Sequence, residues 1–191
     1  MSVTAVPGCE ALTHFQGRLP GTSACVYNKF QVHQSNRELG CLYIKELIIR
    51  KIRAADYPHI YLLNQDFNPR LASFSEDRVK ERIERIIRST NDMILVGEYN
   101  NEVIGYIHGS PHELLFSDSL VNILGFVVKE KYRKRGVGTK LIASLEAWAK
   151  DNGFSGIKLL SHPSRIHAHR LYEHRGYIFT KEQKNFIKTF D

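Results

Sequence analysis

Leu120-Val-Asn-Ile-Leu-Gly-Phe-Val-Val128 runs straight into Lys129-Glu-Lys-Tyr-Arg-Lys-Arg-Gly-Val-Gly-Thr139, and this junction decides how the chain folds. The first part is apolar and rich in β-branched side chains, the composition of a strand buried on both faces. The second part is a cationic loop ending in Gly-x-Gly. Beyond it Val137, Leu141, Leu145, Trp148 and Ala149 recur at helical spacing, with Lys140, Glu146, Lys150 and Asp151 on the other faces. Asn152-Gly153 stops that helix, and the short apolar run Gly156-Ile-Lys-Leu-Leu160 follows. Strand, loop, helix and strand in this order imply a parallel crossover.

The loop delivers its backbone to a helix N-terminus, where unpaired N–H groups and the helix dipole attract an anion. Gly136 and Gly138 carry no Cβ and admit close approach, while Arg133, Lys134 and Arg135 add positive charge. The stretch reads as a pyrophosphate cradle; taken alone, it also reads as a solvated basic turn. Two familiar phosphate loops do not fit. A Walker loop needs Gly-Lys before Ser or Thr, whereas this chain has Gly138-Thr139-Lys140; the dinucleotide fingerprint needs a third glycine where Leu141 stands. The pattern that fits is Arg-x-x-Gly-x-Gly over Arg133 to Gly138, which resembles the acyl-CoA-binding loop of the GNAT superfamily of N-acetyltransferases. That resemblance implies acetyl-CoA as cosubstrate, held by Phe126, Val127, Val128, Arg133, Lys134, Arg135, Gly136, Val137, Gly138 and Thr139. In it, backbone groups of Phe126 and Val128 pair with the pantetheine arm at a splay in the sheet. An N–H near Val128 polarises the thioester carbonyl, and the amides of Arg135 to Thr139 hold the pyrophosphate.

A second constellation lies between Ser161 and Tyr177. Pro163 and Ser164 sit where a helix should start and Gly176 where it should stop, with Ala168, Leu171 and Tyr172 on one face. Ala168, Leu171-Tyr172 and Gly176-Tyr177 resemble the matching GNAT segment, which makes Tyr172 the phenol that protonates the departing CoA thiolate. A tyrosine hydroxyl of pKa about 10 keeps its proton at neutral pH and can donate it; the competing role is a core tyrosine at a helix end. Many family members carry Asn where this chain has Arg165, which is grouped here with the cofactor-binding residues. Arg165, Ala168, His169, Tyr172, Gly176-Tyr177, Phe186 and Lys188 look like a subset that includes aminoalkylphosphonate N-acetyltransferases, and so raise a small anionic amine as one acceptor.

Upstream, Leu42 to Ile52 reads as a strand centred on Leu47-Ile-Ile49, and Ala54 to Phe67 as a helix despite Pro58. Ser75 caps a charged helix to Ser89 with Val79, Ile83, Ile86 and Ile87 on one stripe. Met93 to Tyr99 and Val103 to Ser110 form strands joined by Asn100-Asn101, a hairpin signal. A last strand is expected over Phe186 to Phe190. This order matches the GNAT fold, and the resemblance implies an α/β (α+β) class with a mixed, mostly antiparallel central sheet, splayed at the CoA-binding strand and flanked by helices. The domain spans 43–191; residues 1–42, poor in periodicity, form a poorly structured N-terminal extension.

The chain has 191 residues, 42% apolar content and a formal charge of +7, which suits one core and a polyanionic ligand. No run approaches the ~20 apolar residues of a membrane span. Cys9, Cys25 and Cys41 match no zinc spacing, and an odd number without a secretory signal implies free thiols and a cytoplasmic location. With no cysteine beyond 41, a covalent acetyl-cysteine route is disfavoured. His162, His167, His169 and His174 cluster without completing a ligand set, so no metal is expected. Glu113, after the Val103 to Ser110 strand, is the candidate base for the amine, or equally a solvated glutamate. The expected acceptor is a small-molecule primary amine attacking directly in a ternary complex, with no nucleic acid or membrane partner; a homodimer is left open. The alternatives are a catalytically weak acyl-CoA-binding regulator, a protein N-terminal or lysine acetyltransferase, and a basic nucleic-acid-binding domain.

Overall fold

The structure, a computed structural model, describes residues 44, 46–68, 71 and 73–190; the expected extension and its three cysteines lie outside them. Five strands form one sheet in the order β1 (Ile48–Lys51), β2 (Met93–Tyr99), β3 (Glu102–Leu114), β4 (Ser117–Val128) and β5 (Gly156–Leu159). β1 to β4 pair antiparallel, and β4 and β5 run parallel, as the intervening helix implied. Helices α1 (Tyr57–Phe67) and α2 (Glu76–Ser89) precede β2, α3 (Val137–Asp151) crosses from β4 to β5, and α4 (Ile166–His174) follows.

Each face of the sheet buries its own cluster. Leu95, Ile107, Val121 and Ile123 pack against Val137, Leu141, Ile142 and Leu145 of α3. Val96, Val103 and Val127 on the opposite face pack against Ile60 and Leu63 of α1 and Val79 and Ile83 of α2. Neighbouring residues such as Phe126 and Val127 therefore serve opposite layers, as strand alternation requires. The punctuation follows from local chemistry. Ser75 Oγ accepts the Arg78 N–H at 3.4 Å to cap α2, and Pro58 falls in the first turn of α1, where no N–H is missed. Asn100 and Asn101 take φ of 51° and 61°, the left-handed pair a tight hairpin demands.

Several boundaries differ from the sequence expectation. β1 is confined to Ile48–Lys51, and a 3₁₀ turn over Ala54–Asp56 precedes α1. Ile87 is 50% exposed, so the apolar stripe of α2 is narrower than its spacing suggested. β3 does not stop before Pro111 but runs to Leu114, placing His112 and Glu113 in the strand rather than in a loop. Its last pairing with β2 is Gly109 with Met93, so Pro111 sits where β3 has only β4 beside it and a missing N–H costs no ladder bond. α4 begins at Ile166 rather than Pro163, because His162 Nδ1 accepts the Ser164 N–H at 3.2 Å and closes a separate turn. Among the described residues no strand follows β5; Phe186 and Phe190 are each 85% exposed, with no neighbour to pair against.

Candidate functional site

Among the described residues β5 pairs only with Leu120–Ile123 of β4, and β4 continues to Val128 without it. The cause is visible in the register with β3. His108 faces Gly125 but Gly109 faces Ile123, which leaves Leu124 as a bulge that turns the end of β4 away from β5. Lys129 N–H donates to Ile104 O at 2.8 Å, toward β3. By alternation Phe126 and Val128 direct their backbone groups the other way, into the opening. Val128 O already accepts Arg133 Nε there, at 3.0 Å.

The loop beyond β4 is organised by one carboxylate. Glu102, opening β3, binds Lys129 Nζ at 2.5 Å and lies 3.8 Å from Lys131 Nζ, and Tyr132 Oη donates to it at 3.4 Å. The hydrogen bond from Lys129 holds the Glu102 carboxyl below its usual range, with burial opposing it. Lys134 takes φ 58° and Gly136 φ 82°, and this left-handed step turns the chain into α3. Gly136 caps the helix with no side-chain hydrogen bond, so the first-turn N–H groups up to Thr139 have no capping partner from it, while Lys140 N–H already returns to Gly136 O at 3.0 Å. Arg133, Lys134 and Arg135 are exposed around the same turn. Positive charge, oriented N–H groups and an uncapped fifteen-residue helix fit a pyrophosphate.

Two predicted site residues have only their backbone to offer a ligand. Val127 and Val137 are 3% and 1% exposed, their side chains committed to opposite cores. Packing supplies a reason for Gly138 beyond the one read in the sequence. A Cβ there would stand 3.2 Å from Phe126 Cζ and 3.4 Å from Leu171 Cδ2, so this glycine lets α3 settle onto β4 and α4.

α4 brings Tyr172 to the same opening, its ring 6.3 Å from that of Phe126 and 5.8 Å from that of Tyr177. Burial pushes its phenol above the usual value, while the Arg165 guanidinium pulls the other way. The proton thus stays on the oxygen at neutral pH, as a donor requires. Arg165, at the start of α4, stacks over the Phe67 ring at 4.0 Å and joins α4 to the end of α1. Glu113 is not brought to this place. It accepts from Ser119 Oγ near the β3–β4 turn, and Ser119 to Phe126 is about 20 Å of strand. Sequence reasoning missed Glu102, whose role depends on the hairpin folding it back beside Lys129, and the bulge at Leu124. The clustered histidines serve locally: His169 bonds Ser161 Oγ at 3.1 Å and His174 bonds Arg170 O at 2.6 Å. Among the described residues no group of His, Cys, Asp or Glu could hold a metal ion, and no helix is long and apolar enough to cross a membrane.

Comparison with known proteins agrees with this arrangement. Residues 50–177 match the model of the acetyltransferase (GNAT) family. No curated protein compared with the chain matches its sequence significantly. Among solved structures, the aminoglycoside N-acetyltransferase AAC(6')-Iy in complex with CoA superposes with TM-score 0.66 at 20% identity, over 74% of this chain and 94% of its own. The aminoglycoside 6'-N-acetyltransferase AAC(6')-Ih of Acinetobacter baumannii gives 0.64 at 18%, over 76% and 99%. A protein of Bacillus halodurans described as a transcriptional regulator gives 0.67 at 19%, over 74% and 99%. At such identities the likeness is one of fold.

Proposed function

The chain belongs to the acetyltransferase (GNAT) family, and from that premise we propose that it moves an acetyl group from acetyl-CoA to a primary amine of a small molecule, by direct attack in a ternary complex. The observation that carries this reading is the junction of three features: the end of β4 left without a partner on its β5 side, the uncapped N-terminus of α3 and the Tyr172 hydroxyl. The first-turn amides of α3, with Arg133, Lys134 and Arg135, bind the CoA pyrophosphate. Phe126 and Val128 present backbone groups to the pantetheine arm, and a Val128 N–H directed at the thioester oxygen stabilises the negative charge that develops on attack. Tyr172 gives its proton to the thiolate as the carbon–sulfur bond breaks. Arg165, fixed on Phe67, offers a cation to an acceptor that carries an anionic group.

The structural relatives described as aminoglycoside acetyltransferases support a small-molecule acceptor, since the same sheet serves that chemistry in them. The test is acetyl-CoA turnover against alkylamines, aminoalkylphosphonates, amino acids and aminoglycosides, read by thiol release and by a mass gain of one acetyl group on the amine. Turnover of at least one amine is expected. Tight CoA binding without turnover of any would replace the enzyme with a CoA-responsive regulator.

A further inference from the structure

The geometry points to His108, held by Asp92, as the group that takes the proton from the attacking amine; this rests on the acetyl-transfer reading above and supplies the base that Glu113 is too distant to be. A row of polar side chains crosses the sheet on the face away from α3. Ser110 on β3 pairs in register with Asn122 on β4, and Asn122 with Lys158 on β5. At the head of the row Asp92, just before β2, accepts from Ser110 Oγ at 2.7 Å and bonds His108 Nε2 at 2.8 Å. At its other end Lys158 Nζ lies 3.0 Å from His112 Nε2. Beside the row Leu124 and Leu160 are 57% and 74% exposed, so no described element covers it there. Asn122 Oδ1 is buried without a hydrogen-bond partner, an acceptor that a bound ammonium or water would satisfy.

His108 stands opposite Gly125, next to the bulge that opens β4. One strand spacing, about 5 Å, separates their backbones, and the opening lies just across β4 from His108, so a proton leaving an amine there passes to the imidazole along a short file of water. Asp92 is positioned by two hydrogen bonds, and its carboxylate accepts the Nε2 proton, which leaves the Nδ1 lone pair as the basic site. Asn64 on α1 and Arg82 on α2 face His108 from the other elements and, with Tyr106 of its own strand, line a cavity of about 130 Å³ with it. Tyr106 donates to Asn64 Oδ1 at 2.7 Å and is pushed up to about 12 by burial, so it does not compete for the proton.

The proton count closes. The ammonium gives one proton through water to His108, the free amine forms its bond to the acetyl carbon, and the carbon–sulfur bond breaks as Tyr172 protonates the thiolate. The second proton on nitrogen then returns to the Tyr172 phenolate, and His108 releases its own to solvent. Asp92 is a positioning residue in this scheme.

The experiment follows kcat/KM against pH for the best amine of the panel, in wild type, His108→Gln, His108→Ala and Asp92→Asn, with CoA affinity and thermal stability measured on each. We expect His108→Gln and His108→Ala to lose about 10²-fold below the amine's own pKa and to converge on wild type above it, where free amine needs no base. Added imidazole should restore His108→Ala, and Asp92→Asn should show a smaller loss with the same pH dependence, CoA affinity holding throughout. A loss equal at every pH and insensitive to imidazole would make His108 structural, and a folded variant with the wild-type profile would likewise overturn its role. If wild type turns over no amine at all, the acetyl-transfer reading fails first and this one with it.

Discussion

Valine at position 138 should weaken CoA binding by about 10- to 100-fold, and the size follows from where the glycine sits. An added Cβ meets Phe126 Cζ at 3.2 Å and Leu171 Cδ2 at 3.4 Å, and valine's two methyls extend beyond that point into the same gap. Such overpacking typically costs about 1–3 kcal/mol and is relieved by moving the first turn of α3 off β4 by a few tenths of an ångström. That turn carries the amides assigned to the pyrophosphate. Losing one N–H bond to a charged oxygen is worth about 1.5–3 kcal/mol, which at 1.4 kcal/mol per decade gives the stated range. Alanine should do much less, because a single methyl needs only a slight shift and gains about 1 kcal/mol of helix propensity over glycine. Calorimetric titration with CoA, alongside thermal denaturation, reads both effects. A folded Gly138→Val protein with wild-type CoA affinity would refute the cradle.

Tyr172→Phe keeps the ring against Phe126 and removes only the hydroxyl, so kcat should fall by about 10²–10⁴ with CoA affinity nearly preserved; unchanged steady-state turnover would leave the tyrosine as packing. Asp56 gives a prediction about acid stability. It is 6% exposed, and burial pushes its carboxyl up, but the paired bonds from Arg50 at 2.8 Å each and the Arg53 N–H at 2.7 Å more than offset this and leave it lowered. A carboxyl lowered in the folded state stabilises fully above its unfolded pKa, about 3.9, and loses that contribution as pH falls through the lower folded value. Urea denaturation from pH 6 downward should therefore show stability falling below about pH 4, with a shallower acid limb in Asp56→Asn; parallel limbs would contradict the assignment.

The elements that define the fold were legible because each carries a local cause. The β-branched run at Leu120–Val128, the 3.6-residue spacing through α3, the Ser75 cap and the Asn-Asn turn all act within one element. What failed depended on neighbours. Pro111 stops a strand only where both edges are paired, and here one is free. The strand expected at Phe186–Phe190 needs a partner that the described residues do not offer. The loop's cations and Gly-x-Gly could be read directly, whereas Glu102 and the bulge at Leu124 arise from pairing and leave no sequence signature. Position along a strand is equally silent in the sequence: Glu113 lies on β3 with His108 but at its far end, beside Ser119, about 20 Å of strand from Phe126.

The central claim is that the acetyl group passes straight from the thioester at the opening of β4 to an amine. A single-turnover experiment with acetyl-labelled CoA, enzyme in excess, tests it most directly. With an amine from the panel, the label should appear on the amine in step with thiol release; without one it should stay on CoA, with none on the protein. Label on the protein, or no transfer to any amine while CoA remains bound, would contradict the account.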